Sequence, residues 1–128
     1  MPEPLWSLRV SSDFSSSHQL RNYRGKCENL HGHNFLVEVE VTGTKLDPDT
    51  GMLMDFKDLK KALALVLEEL DHKHLNELDY FLELNPSSEN LARFVYERLK
   101  PLLPGDKVRL DRVMVAEKGS SRAYYREL

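Results

Sequence analysis

An α+β domain with an antiparallel sheet is the fold class this sequence predicts, and three observations lead there. Two segments near the N-terminus alternate apolar and polar residues with a period of two. Two central segments repeat their apolar residues at helical spacing, and the last quarter returns to a period of two. The order is therefore ββααββ: a four-stranded antiparallel sheet with two helices on one face. At 128 residues, the chain suits a single domain spanning 1–128.

The first strand is expected from about Leu5 to Phe14, where Trp6, Leu8, Val10 and Phe14 alternate with Ser7, Arg9, Ser11 and Asp13. A loop, Gln19 to Leu30, follows and carries Arg21, Arg24 and Lys26 ahead of Cys27. These cations read either as a solvated loop or as a positive field that lowers the thiol pKa and attracts an anionic substrate. Phe35, Val37, Val39 and Val41 share one parity and mark the second strand. Asp47-Pro48-Asp49-Thr50-Gly51 is turn chemistry, and Asp55 is an N-cap for a helix from about Phe56 to Leu70. Its stripe is Phe56, Leu59, Leu63, Val66, Leu67 and Leu70. Pro86, a serine cap and Glu89 open the second helix, whose stripe is Leu91, Phe94, Val95 and Leu99. Val108 to Glu117 is a strand whose apolar parity shifts between Leu110 and Val113, which predicts a bulge near Asp111-Arg112. Lys118 to Ser121 is a turn, and Arg122 to Arg126 is a short final strand.

Composition narrows the partners. A net charge of −3 with 30% charged residues gives no reason to expect nucleic acid or an anionic membrane surface. One cysteine excludes an internal disulfide and fits a reducing compartment. No apolar run is long enough for a bilayer, and Met1-Pro2-Glu3-Pro4 has no signal-peptide character, so a cytoplasmic location is expected.

The chemistry concentrates in Cys27-Glu28-Asn29-Leu30-His31-Gly32-His33. His31 and His33 share the parity of Phe35, so both rings leave the strand on one face. His18 lies on the apolar parity of the first strand, and pairing of the two strands would bring it opposite them. Three histidines around an open position is a common catalytic zinc arrangement. Cys27 keeps three readings from spacing alone: a fourth ligand, a small buried hydrophobe, or a reactive thiolate. His72 beside Asp71 is either a helix-end histidine or one tuned by a carboxylate for proton transfer. Ser87 and Ser88 suit helix capping, and Glu117 ends a strand.

Taken in order, Cys27, His31-Gly32-His33, Leu70-Asp71-His72, Pro86-Ser87-Ser88-Glu89-Asn90 and Val113-Met114-Val115-Ala116-Glu117 resemble the 6-pyruvoyltetrahydropterin synthase family over nearly the whole chain. The resemblance implies the tunnelling fold, in which trimers close a continuous barrel and two trimers stack as a homohexamer. It implies a zinc lyase acting on 7,8-dihydroneopterin triphosphate bound between subunits. Residue by residue, it gives zinc (Zn2+) to His18, His31 and His33, the general base to Cys27, and the proton relay to Asp71 with His72. Glu117 becomes the pterin anchor, and Ser87 and Ser88 further substrate contacts. The short gap Cys27-x-x-x-His31 is similar to the bacterial branch, 6-carboxy-5,6,7,8-tetrahydropterin synthase of queuosine biosynthesis, which releases acetaldehyde and triphosphate. Elimination of triphosphate without carbon–carbon cleavage, giving 6-pyruvoyltetrahydropterin, is the nearest alternative. A non-catalytic zinc module closed by Cys27 is the alternative of another class. His74 departs from the family pattern, where Asn or Tyr is more frequent.

Overall fold

The computed structural model describes residues 1–24 and 29–128. Strands β1 (Trp6–His18), β2 (His31–Gly43), β3 (Arg109–Lys118) and β4 (Ser121–Tyr125) form one sheet in the order β1-β2-β3-β4, every neighbouring pair antiparallel. Helices α1 (Phe56–Leu67) and α2 (Ser88–Leu99) stand between β2 and β3 in the chain. α1 packs on β1, and α2 packs on β3 and β4. The expected ββααββ order and two-helix layer are both present.

The core lies between sheet and helices. Phe35, Val37, Val39 and Val41 are fully buried, as the period of two requires, and they meet Leu59, Leu63, Leu91, Val95 and Leu99. Asp55 caps α1 by accepting the Lys57 N–H at 2.8 Å. The preceding turn is held by Asp47 Oδ1, which accepts N–H groups from Asp49 and Thr50, and it closes at Gly51 with φ 71°. α1 stops at Leu67, short of the expected Leu70, though Leu70 is still buried. Phe56 fits the stripe by angle but is 52% exposed; as the first helical residue it stands at the end of the packed face.

β1 is longer than its alternation suggested. It continues through Ser15-Ser16-Ser17 to His18, which pairs directly with His31. The expected bulge is present: Glu40 pairs with Arg112 and Val41 with Leu110, so Asp111 is the extra residue. A second one was not anticipated. Ala116 pairs with Arg122 and Lys118 with Ser121, which leaves Glu117 as the extra residue at the end of β3. Bulges re-aim side chains, and this one bears on the site.

Candidate metal centre

The first two strands bring three histidines together for the reason their parity gave. In the β1–β2 register His18 faces His31 and Ser16 faces His33, so residues 18, 31 and 33 share the face that carries Phe14 and Phe35. The imidazole centroids are 4.6 Å apart for His18–His31, 4.5 Å for His31–His33 and 5.4 Å for His18–His33. Phe35 lies edge-on to His18 at 5.1 Å and is stacked on Phe14, which gives the cluster an apolar floor.

The ring orientations are set by backbone carbonyls. His18 Nδ1 is 2.7 Å from the Pro86 carbonyl oxygen, and His31 Nδ1 is 2.9 Å from that of Asn29. A carbonyl oxygen only accepts, so each Nδ1 carries a proton and donates it, and in the neutral ring Nε2 keeps its lone pair. His18 is fully buried, and burial pushes its imidazole below the ordinary histidine range, so the neutral form holds. Among the described residues its Nε2 has no hydrogen-bond partner, yet Glu117 Oε1 lies 3.1 Å away. The short distance is no bond, because a deprotonated imidazole nitrogen and a carboxylate oxygen are both acceptors. Glu117 Oε2 stands 3.4 Å from His33 Nε2. His18, His31, His33 and Glu117 each offer a ligand atom, all within 4.8 Å of one another. Lone pairs converging around a carboxylate are the donor set a cation satisfies.

The support behind His18 comes from the start of α2. Ser87 is the N-cap, its Oγ accepting the Asn90 N–H at 3.1 Å, and Asn90 Nδ2 donates to the Asn85 carbonyl at 2.9 Å. Those bonds bracket Pro86, whose carbonyl holds the imidazole. Ser87 therefore touches the cluster at one remove, and Ser88 begins the helix beside it.

Asp71 and His72 are adjacent in sequence and bonded in space. His72 Nδ1 is 2.9 Å from Asp71 Oδ2, while Asp71 Oδ1 accepts the Ser15 N–H at 2.9 Å. That backbone bond, with the histidine, holds the Asp71 carboxyl below the usual carboxylate range. His72 sits in the left-handed region at φ 57° and is 82% exposed at its side chain. His33 and His72 line a common cavity.

Cys27 and Lys26 lie outside the described residues. The loop leading to them is tied down before that. Asn76 exchanges two hydrogen bonds with the Gln19 backbone, and Asn85 does the same with the Arg21 backbone. The Arg21 guanidinium donates to the carbonyls of Phe81, Leu84 and Asn76. Arg21 is thus a clamp on the backbone. The sequence missed three parts of this arrangement. The Pro86 carbonyl has no residue-type signal, the Glu117 bulge carried none, and the serine run 15–17 lies beyond the apolar alternation that marks the first strand.

A ββααββ sheet with a histidine cluster at one end of its first strand pair defines a small class of α+β proteins, and comparison with known proteins narrows it. The 6-pyruvoyl tetrahydropterin synthase family model matches residues 7–128, and the chain belongs to that family. A putative 6-carboxy-5,6,7,8-tetrahydropterin synthase of Archaeoglobus fulgidus is 40% identical over 110 residues, 86% of this chain and 86% of its own length. A dihydroneopterin monophosphate aldolase of Pyrococcus furiosus is 43% identical over 90 residues, 70% of this chain and 72% of its own. Among solved structures, the Caenorhabditis elegans 6-pyruvoyl tetrahydropterin synthase superposes with a TM-score of 0.85 at 28% identity, covering 100% of this chain and 99% of that one. The family is enzymatic, and the sheet and helices described above are its tunnelling fold.

Proposed function

We propose that this protein is a zinc-dependent lyase that converts 7,8-dihydroneopterin triphosphate to 6-carboxy-5,6,7,8-tetrahydropterin, with release of acetaldehyde and triphosphate, in queuosine biosynthesis. One observation carries the reading: two of three clustered imidazoles have Nδ1 committed to carbonyls, beside a carboxylate on the same strand ends. His18, His31 and His33 are the zinc ligands. Zinc bound there would hold the side-chain hydroxyls of the substrate and polarise a developing carbonyl.

The remaining steps belong to side chains. Glu117 accepts the 2-amino and N3–H groups of the pterin, a charge-assisted pair. Its oxygens lie 3.1 Å from His18 Nε2 and 3.4 Å from His33 Nε2, so a pterin anchored there lies beside the metal centre. Cys27, as thiolate, takes a proton from the side-chain carbon. Asp71 engages His72 Nδ1, so the proton carried to or from substrate is held at His72 Nε2. Ser87 and Ser88 supply hydroxyls at the head of α2. The outer edge of β1 ahead of Ser15 and that of β4 extend the sheet between copies of the chain, closing a trimer, with the hexamer as two trimers. Among the described residues no helix is long and apolar enough to cross a membrane, which is consistent with a cytoplasmic enzyme.

The test is product analysis on zinc-loaded protein given 7,8-dihydroneopterin triphosphate. One acetaldehyde per carboxytetrahydropterin supports the proposal. A pyruvoyl product without acetaldehyde moves the chain to its nearest alternative, and a 6-hydroxymethyl product aligns it with the Pyrococcus relative. No consumption of substrate contradicts the reading. Cys27→Ala is expected to keep zinc and lose most turnover; a metal-free Cys27→Ala would make the thiol a structural ligand and favour the non-catalytic zinc module.

A further inference from the structure

The segment following Asp71 is laid along the edge of β1. His72 N–H donates to the Ser15 carbonyl at 2.6 Å, Ser17 N–H donates to the Lys73 carbonyl at 3.0 Å, and Ser17 and His74 form a parallel bridge. These bonds fix the backbone of three consecutive residues, each with a basic side chain, against a strand whose end carries His18. Beside them opens a shallow cavity of about 580 Å³, wide to solvent and bordered by Ser17, Asn34, His33, His72, Lys73 and His74. That is within the roughly 300–1,000 Å³ of small-molecule sites.

Among the described residues no carboxylate lines the cavity: three histidines and a lysine border it, with serine hydroxyls and an amide between them. The acid adjacent in sequence, Asp71, has one oxygen on the Ser15 N–H and the other on His72 Nδ1. The donors are also oriented. His74 Nδ1 is 3.0 Å from Ser17 Oγ, which holds the ring in place. Ser15 Oγ donates to Asn34 Oδ1 at 3.1 Å, so the opposite end of that amide is its pair of N–H donors. Because His33 belongs both to this cavity and to the metal centre, the two spaces adjoin.

We propose that this cavity seats the phosphate chain of the substrate, with Lys73 as its cation and the His74 imidazole as a donor beside it. The proposal rests on the reading of a pterin triphosphate as substrate. A substrate side chain held at the histidine cluster carries its phosphates into the adjoining cavity, which His33 also lines. Negative charge builds on the departing triphosphate during elimination, and a fixed cation and hydroxyl donors stabilise it there. His74 thus gains a function at the position where the chain departs from the family pattern.

The experiment compares two fluorescent, oxidised and unreactive probes, neopterin 3′-triphosphate and neopterin, on zinc-loaded protein. The readout is the ratio of their affinities, which isolates the contribution of the phosphates. Lys73→Gln is expected to lower the ratio about tenfold and His74→Asn about threefold, with neopterin affinity as in wild type. Lys73→Arg, which keeps the charge, retains the ratio, and so does Lys57→Gln, which removes an exposed cation from α1. A wild-type ratio in the Lys73→Gln/His74→Asn double variant, with neopterin still bound, overturns the seat and leaves the pterin reading intact. Equal losses in Lys73→Arg and Lys73→Gln overturn it too. If wild-type protein binds neither probe, the pterin reading itself fails.

Discussion

His18→Leu separates the cost of the metal centre from its benefit. In the metal-free protein the buried Nε2 of His18 lacks a hydrogen bond among the described residues and faces a carboxylate oxygen at 3.1 Å. A buried unsatisfied polar atom costs about 1–3 kcal/mol, and leucine removes that cost. Against it stands the bond from Nδ1 to the Pro86 carbonyl, worth about 0.5–1.5 kcal/mol, whose loss also leaves that carbonyl without its donor. The two effects oppose each other, so the metal-free variant should lie within about 1 kcal/mol of metal-free wild type. Zinc changes the comparison. At a free concentration a hundredfold above its Kd, it stabilises wild type by about 2.7 kcal/mol, a rise of roughly 10 °C in Tm for a chain of this size. The variant, lacking one of three ligands, should show little of that rise. Thermal melts of both proteins, with chelator and with zinc, make the measurement. A full zinc-dependent rise in the variant, or a metal-free loss beyond about 3 kcal/mol, would refute the reasoning, because His18 would then be structural.

Glu117→Gln exchanges one acceptor oxygen for a donor that opposes a pterin N–H, so reduced pterin should bind about a hundredfold more weakly by calorimetry, with zinc retained. An unchanged Kd would leave Glu117 as a neighbour of the metal only. Asp71 has its folded-state pKa depressed, chiefly by the Ser15 N–H, so its contribution is present above the ordinary carboxylate pKa and is lost as pH falls through the depressed value. Asp71→Asn should therefore flatten the acid side of the stability–pH profile in urea melts, and a profile parallel to wild type would contradict that. Ser87→Ala removes the α2 cap and should cost about 1 kcal/mol in denaturant midpoints. Because that cap brackets Pro86, zinc affinity should fall with it in a chelator titration, and a cap loss without any change in zinc would separate the two.

The strands and helices were legible because burial in a two-layer fold imposes a period, and Phe35 to Val41 or Leu91 to Leu99 carry it without interruption. The same logic found the histidine cluster: parity put His31 and His33 on the core face, and pairing put His18 opposite. Boundaries were less visible. Ser15-Ser16-Ser17 extends β1 because its neighbours in space require it: Ser16 Oγ bonds the Leu70 carbonyl, and Ser15 and Ser17 engage residues 71–74. Contacts more than fifty residues apart leave no local pattern. The role of Arg21 was hidden for the same reason, since its partners are backbone carbonyls, which every residue has. Glu117 lay beyond a period-two argument because its bulge breaks the period at the residue that matters.

The most direct test of the metal centre is X-ray absorption at the zinc edge on protein loaded with one equivalent. The expected spectrum has a first shell of nitrogen and oxygen only, at about 2.0–2.1 Å, with three imidazoles in the outer-shell scattering, and a His31→Ala variant loses most of its zinc. A sulfur scatterer at about 2.3 Å would contradict it, because Cys27 would then close the shell and no open position would remain for substrate.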